Sequence, residues 1–156
     1  MSIYVFYRFS GNGQAAGEVA ANKAYDEEPN LRFIHSDYAN DLGLAEQSFD
    51  LLVSQYAGFF SAHCVRYLRP GGYLVANNSH GDAGLAHCDQ SLEFVAAISR
   101  RGEQYRISTR GLEEYFIPKK AQLPTDSKGL RLHLLSLGRS VGYTNSAADY
   151  VFRRRQ

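Results

Sequence analysis

The chain of 156 residues has no tryptophan, one methionine, two cysteines and four prolines. Cys64 and Cys88 are too few for the disulfide framework of a small secreted scaffold, which points to a reducing compartment. Neither sign of charge dominates: 17 basic side chains stand against 16 acidic ones, a net charge of +1. No broad field therefore draws the chain toward nucleic acid or an anionic membrane. The terminal Arg153-Arg154-Arg155 reads as a solvated tail, and nucleic acid is not an expected partner. No apolar run nears the roughly 18 residues that a membrane span needs. The first residues, Met1-Ser2-Ile3-Tyr4-Val5-Phe6-Tyr7-Arg8, have no basic start before a long apolar stretch, so they do not read as a signal peptide. A cytoplasmic protein with no membrane partner is the expectation. His63-Cys64 and His87-Cys88 lack the spaced set of four ligands of a structural metal site, so no metal is expected. Internal repeats, low-complexity segments and linkers are also missing, and residues 1–156 are expected to form a single domain.

What is present suits a packed core. Hydrophobic residues make up 44% and charged residues 21%, and the aromatics are 11 Tyr and 9 Phe. Residues 3–9 are β-branched and aromatic and end at Ser10-Gly11-Asn12-Gly13, a strand entering a Gly-rich turn. Residues 14–27 are Ala-rich and read as a helix stopped by Pro29. Residues 31–36 and 49–54 read as strands, the latter so continuously apolar that burial on both faces is expected. Residues 57–68 read as a helix, 73–77 as a strand, and 82–101 as a helix with an apolar stripe through Leu85, Leu92, Val95, Ala96 and Ile98. Beyond that the pattern loosens. Residues 104–108 suit a strand, 110–116 a short helix, 118–129 a loop and 148–153 a closing strand. Residues 130–137 fit helix or strand equally. Such alternation implies an α/β sandwich with a mostly parallel sheet.

In open α/β sheets ligands sit at the carboxyl ends of the strands. That places Ser10 to Gly13, Ser36 to Tyr38, Ser54 to Tyr56 and Asn77 to Asp82 under scrutiny. Asp37 either starts a turn or accepts from an amine or ribose hydroxyls, with Tyr38 beside it to stack on a base. Asn77-Asn78-Ser79-His80-Gly81-Asp82 is the most polar strand end. His80 is the candidate general base with Asp82 near it; the competing reading is a helix start capped by Ser79 or Asp82. Gly11 and Gly13 with Asp37 downstream also admit a dinucleotide-binding turn.

Three segments carry a resemblance. Asn30-Leu-Arg-Phe-Ile-His-Ser-Asp37, then Ser48-Phe-Asp-Leu-Leu-Val-Ser54, then Tyr67-Leu-Arg-Pro-Gly-Gly-Tyr-Leu-Val75 together resemble the middle of a class I S-adenosylmethionine-dependent methyltransferase. The resemblance covers residues 18–80, and the Leu-Arg-Pro-Gly-Gly turn is its most telling piece. It implies a Rossmann-like methyltransferase sandwich, N-terminally truncated. In that alignment residues 3–10 match the family's second strand, and the first strand with its Gly-rich cofactor loop is missing. Arg8 falls where the family has a ribose-binding acid. The cofactor implied is S-adenosylmethionine, held by Gly11, Gly13, Asp37, Tyr38, Ser54 and Gln55. Tyr56 and Asn77 would meet the substrate, and His80 and Asp82 would be catalytic. The amino-methylating members carry two prolines near Ser54-Gln55-Tyr56 that this chain lacks, so the implied acceptor is a small molecule rather than a nucleic-acid base. The alternative is a non-catalytic methyltransferase-like fragment or pseudoenzyme acting by protein association. A missing central strand would be replaced by residues 3–9 pairing with 49–54. Either a homodimer or a partner chain supplying the strand is also expected.

Overall fold

A computed structural model of the protein describes residues 2–6, 17, 20–27, 30–34, 36–119 and 123–156. The chain divides into two units, Met1–Leu44 and Ala45–Gln156.

In the first unit β1 (Ser2–Phe6) pairs in parallel with β2 (Asn30–Ile34), Ser2 opposite Asn30 and Phe6 opposite Ile34. Parallel neighbours need a crossover, and the described part of it is helical at Gly17 and at residues 20–22. The Lys23 ammonium then donates to the carbonyls of Asp26 at 3.1 Å and Glu27 at 2.8 Å, tying down the chain beyond that turn.

The second unit holds β3 (Phe49–Ser54), β4 (Leu68–Ala76), β5 (Leu92–Arg101), β6 (Gln104–Ser108) and β7 (Asp149–Arg154), in spatial order β3-β4-β7-β5-β6. Only β3 and β4 are parallel in this sheet; the other pairings are antiparallel. It is a mixed α/β open sheet, which corrects the expected mostly parallel one. The correction has two causes. The closing strand β7 inserts between β4 and β5 and runs against both, with Phe152 opposite Leu74 and Phe94. Residues 82–101 are also not one helix. Helix α2 (Asp82–Cys88) stops at Asp89, whose carboxylate accepts the Ser91 amide at 2.8 Å and the Ser91 hydroxyl at 2.7 Å. The chain turns there into β5, then reverses at Gly102 (φ +61°) into β6. The apolar stripe that suggested one helix joined the inward face of a short helix to a strand rich in Phe, Val and Ile. The expected pairing of residues 3–9 with 49–54 is not found among the described residues, where β1 pairs with β2 and β3 with β4.

The helix expected over residues 57–68 shortens to α1 (Phe60–Cys64) and a 3-10 turn, Val65–Tyr67. Strand β4 already begins at Leu68, opposite Phe49; pairing resumes at Tyr73 opposite Leu51, so Arg69 to Gly72 bulge out between. The two glycines of that bulge do different work. Gly71 takes φ +78° with open space around it. At Gly72 a Cβ would lie 3.0 Å from the carbonyl oxygens of Arg69 and Asp50, so only a bare backbone fits.

Helix α3 (Ser127–Leu137) settles the ambiguous stretch. The Asp126 carboxylate accepts the Gly129 amide at 2.8 Å to cap its start, and Gly138 at φ +63° ends it. Leu85 of α2 packs with Leu130 and Leu134 of α3. Leu52, Leu74, Ala76, Tyr150 and Phe152 are the buried face of the sheet. The opposite face of β3 is open: Leu51 and Val53 are 51% and 54% exposed, so the expected burial of that strand on both faces does not hold. Among the described residues no helix is long and apolar enough to cross a membrane.

Candidate functional site

Because β3 and β4 are parallel, their carboxyl ends emerge together, and Ser54-Gln55-Tyr56 leaves the sheet beside Asn77-Asn78-Ser79. The Asn77 amide donates to the Ser54 carbonyl at 3.1 Å. Its side chain then organises both loops. Asn77 Oδ1 accepts the backbone N–H groups of Tyr56 and Ser79, each at 3.3 Å, and its Nδ2 donates to Gln55 Oε1 at 3.0 Å. Gln55 Nε2 donates in turn to Asp149 Oδ1 at 2.7 Å, at the start of β7. Every polar end of the two carboxamides is engaged, so Asn77 and Gln55 act on the shape of the site. Tyr56, held by Asn77, sits at φ +55° and is 75% exposed. A left-handed tyrosine is uncommon and is kept only where neighbours enforce it.

Below these loops lies Asp82, 2% exposed. Its Oδ2 accepts the Ser54 hydroxyl at 2.6 Å; its Oδ1 accepts the Ser61 amide at 2.8 Å and the Ser61 hydroxyl at 2.6 Å. One carboxylate thus joins the end of β3 to the starts of α1 and α2. Burial pushes its pKa up, and the hydrogen bonds from Ser54 and Ser61 partly oppose the shift. The neighbouring Cys64 thiol, fully buried, is pushed up to about 12 by desolvation.

The residues expected from the sequence separate accordingly. Tyr56 and Asn77 come together. Ser54 lies beneath them with its hydroxyl turned toward Asp82. His80 is exposed, its Nδ1 lying 2.9 Å from Ser79 Oγ, while the oxygens of Asp82 face Ser54 and Ser61. His80 and Asp82 are therefore not joined as an acid–base pair. In the first unit, Asp37 Oδ1 accepts the Ala39 amide at 2.9 Å and its carbonyl accepts the Asn40 amide at 3.0 Å, the geometry of a turn start. That carboxylate is exposed and keeps acceptor capacity for an amine or hydroxyl. Tyr38 beside it is half-buried. Gly11 and Gly13 lie outside the described residues. Among the described residues no group of three or more His, Cys, Asp or Glu is placed to hold a metal.

An open cleft of about 420 Å³ lies against Tyr56 and Asn77 to Ser79. Its far wall comes from residues that carried no motif: Lys119, Ser140 to Tyr143, Ser146 to Ala148, and Tyr150. That wall is built by backbone pairing. The Lys119 amide donates to the Gly142 carbonyl at 3.0 Å, and the Thr144 amide donates to the Ile117 carbonyl at 2.8 Å. The Tyr150 hydroxyl accepts the Ala147 amide at 3.2 Å. Phe116, at φ +59°, anchors the wall from behind, with ring centroids 5.1 Å from Tyr143 and 4.9 Å from Tyr150. His87 stacks on Phe116 at 4.2 Å, and burial lowers its pKa. Burial also pushes the Tyr143 phenol up to about 12. From the sequence, only the loop over 118–129 and the closing strand over 148–153 touch this wall.

No family model matches the chain. No curated protein matches it either. Among solved structures it is similar to the 1,6-didemethyltoxoflavin-N1-methyltransferase of Burkholderia thailandensis, whose crystal structure contains 1,6-didemethyltoxoflavin and S-adenosylhomocysteine. The two are 13% identical with a TM-score of 0.36, over 98% of this chain and 61% of that one. The chain thus spans less than two thirds of that enzyme's length.

Proposed function

We propose that the protein is an S-adenosylmethionine-dependent methyltransferase for a small molecule and that the cleft beside Tyr56 and Asn77 receives the methyl acceptor. One observation carries this reading. The Phe-Asp-Leu strand and the strand after the Leu-Arg-Pro-Gly-Gly bulge lie parallel and adjacent, and the cleft opens at their shared carboxyl end. In the first unit, Asp37 is an exposed carboxylate that keeps acceptor capacity for hydroxyls or an amine of the cofactor. The cofactor supplies an electrophilic methyl group on a sulfonium. The chain's own task is positioning, which by itself removes much of the barrier to a bimolecular transfer. The Asn77–Gln55–Asp149 chain fixes Tyr56, and Asp82 fixes Ser54 beneath it. His80 takes the acceptor's proton with Ser79 orienting its ring. Asp82 serves as a positioning residue in this scheme.

A second reading keeps the same fold without catalysis, as a methyltransferase-like protein that works by association. The inward-facing oxygens of Asp82, which leave exposed His80 without that carboxylate, favour it. Calorimetry with S-adenosylhomocysteine separates the two. Methyl transfer requires saturable binding in the micromolar range; absence of heat at millimolar ligand overturns it.

A further inference from the structure

We propose that the β5–β6 hairpin takes up an extended acidic segment of a partner protein, added as a further strand along β6. The proposal concerns a surface apart from the cleft and holds whatever the cleft binds. β6 is the last strand of its sheet, with β5 as its one neighbour among the described residues. β5 pairs with β7 only as far as Ile98 opposite Asp149; from Ser99 to Arg101 it pairs with β6 alone. The hairpin thus runs beyond the sheet as a two-stranded ribbon. Its outer edge carries free ladder groups. The Ile98 carbonyl accepts the Ala148 amide at 2.8 Å, on the side away from β6. Ile98 and Ile107 are therefore a non-hydrogen-bonded pair, and the N–H and C=O of Ile107 point outward. Two residues back, Tyr105 repeats that orientation. These four groups match the ladder of an incoming strand.

The side chains set what that strand must carry. Between Ser99 and Arg110 four arginines stand against one acid, Glu103, in a chain whose net charge is only +1. Among the described residues none of the four forms an ion pair. The Arg100 guanidinium lies over the Tyr105 ring at 5.4 Å and its Nε donates to the Gly102 carbonyl at 2.9 Å, which steadies the ribbon. Arg101 stands opposite Gln104 and Arg106 opposite Ser99, so both occupy one face. Tyr105 and Ile107, 62% and 66% exposed, occupy the other. A strand laid along β6 therefore meets Arg106 and Arg101 on one face and Tyr105 and Ile107 on the other, which selects alternating acidic and apolar residues. A second copy of the chain fits less well: the register that sets Tyr105 against Ile107 sets Arg106 against Arg106.

The probe is the peptide acetyl-Ser-Glu-Val-Glu-Val-Glu-Ser-amide, titrated by NMR into the whole chain. Shifts should gather at Gln104 to Ser108, and hydrogen exchange should slow at the Tyr105 and Ile107 amides. Exchanging every Glu of the peptide for Lys should abolish binding, as should methylating its Val amide nitrogens, which removes ladder donors. Arg106→Glu should weaken the acidic peptide about fivefold, the upper end for one exposed ion pair. Ile107→Pro deletes an N–H that β5 does not use and should prevent uptake, with exchange at the Ser99 and Arg101 amides unchanged. If the ribbon opens in that variant, the N-methylated peptide decides instead. No shift at millimolar peptide, equal binding of the Lys or N-methylated peptide, or shifts outside the hairpin overturns the proposal. Tighter binding of a single-stranded oligothymidylate at the same residues would assign the arginines to phosphate and overturn it as well.

Discussion

Asn77 donates from Nδ2 to Gln55 Oε1 at 3.0 Å, joining the loops that leave two parallel strands. The same carboxamide accepts from the Tyr56 and Ser79 backbones, so one side chain sets the conformation of both loops. Asn77→Ala should cost about 1–2 kcal/mol, the usual consequence of stranding partly buried partners. Hydrogen exchange should speed up at the Tyr56 and Ser79 amides and stay slow at Leu52 and Leu74. Uniform acceleration over the whole sheet would contradict a local role.

Asp82 carries a pH signature. Burial raises its carboxyl above the ordinary value of 3.8, so the folded chain holds that proton longer than the unfolded chain. Its contribution to stability is complete below pH 3.8 and is lost as pH rises through the raised folded value. Urea titrations of wild type and Asp82→Asn should therefore diverge across that window, with wild type losing stability relative to the variant as pH increases. Parallel curves would show that the carboxyl titrates alike in both states. Asp82→Ala should be worse at every pH, by about 2–4 kcal/mol, because the Ser54 and Ser61 donors are left buried and unpaired.

The Pro-Gly-Gly bulge offers a paired test. Gly71 needs only its left-handed φ, so Gly71→Ala should cost about 1 kcal/mol. Gly72→Ala sets a methyl group 3.0 Å from two backbone oxygens, which cannot move aside as a side chain tip would. We expect it to cost about 2–3 kcal/mol. Thermal melts that rank the two substitutions in the opposite order would contradict the assignment.

The elements read correctly from sequence were those with local signals of their own. Residues 49–54 and 104–108 match their strands, and 148–153 came within a residue of β7. The mostly antiparallel sheet was not legible, because strand order depends on β7 returning to lie between β4 and β5, and nothing in Asp149–Arg154 encodes its neighbours. Residues 82–101 misled because a seven-residue helix is too short to establish its own period before β5 begins. The near half of the site was visible as polar residues at strand ends. The far half was not, since Lys119, Ser140 to Tyr143 and Ser146 to Ala148 reach the cleft through backbone pairing between distant loops. His80 and Asp82 suggested a catalytic pair by proximity in sequence, yet the helix start turns the carboxylate inward and leaves the imidazole outside.

Gly81 precedes that helix at φ +93°, and a Cβ there would fall 2.6 Å from Leu134 Cδ1. Gly81→Ala joins backbone strain to a collision with the α2–α3 contact, at about 2–3 kcal/mol. Gly138→Ala, with open space around it, should cost only about 1 kcal/mol for its φ. Equal midpoints in chemical denaturation would show that α3 yields more easily than its packing implies.

The account rests on a ligand site at the shared end of β3 and β4, and an NMR titration of the isotope-labelled chain with S-adenosylhomocysteine tests it most directly. Saturable shifts at the amides of Gln55, Tyr56 and Asn77 to Ser79, with the β5–β6 hairpin unmoved, are the predicted result. An unchanged spectrum at millimolar ligand, or shifts confined to the hairpin, would contradict it.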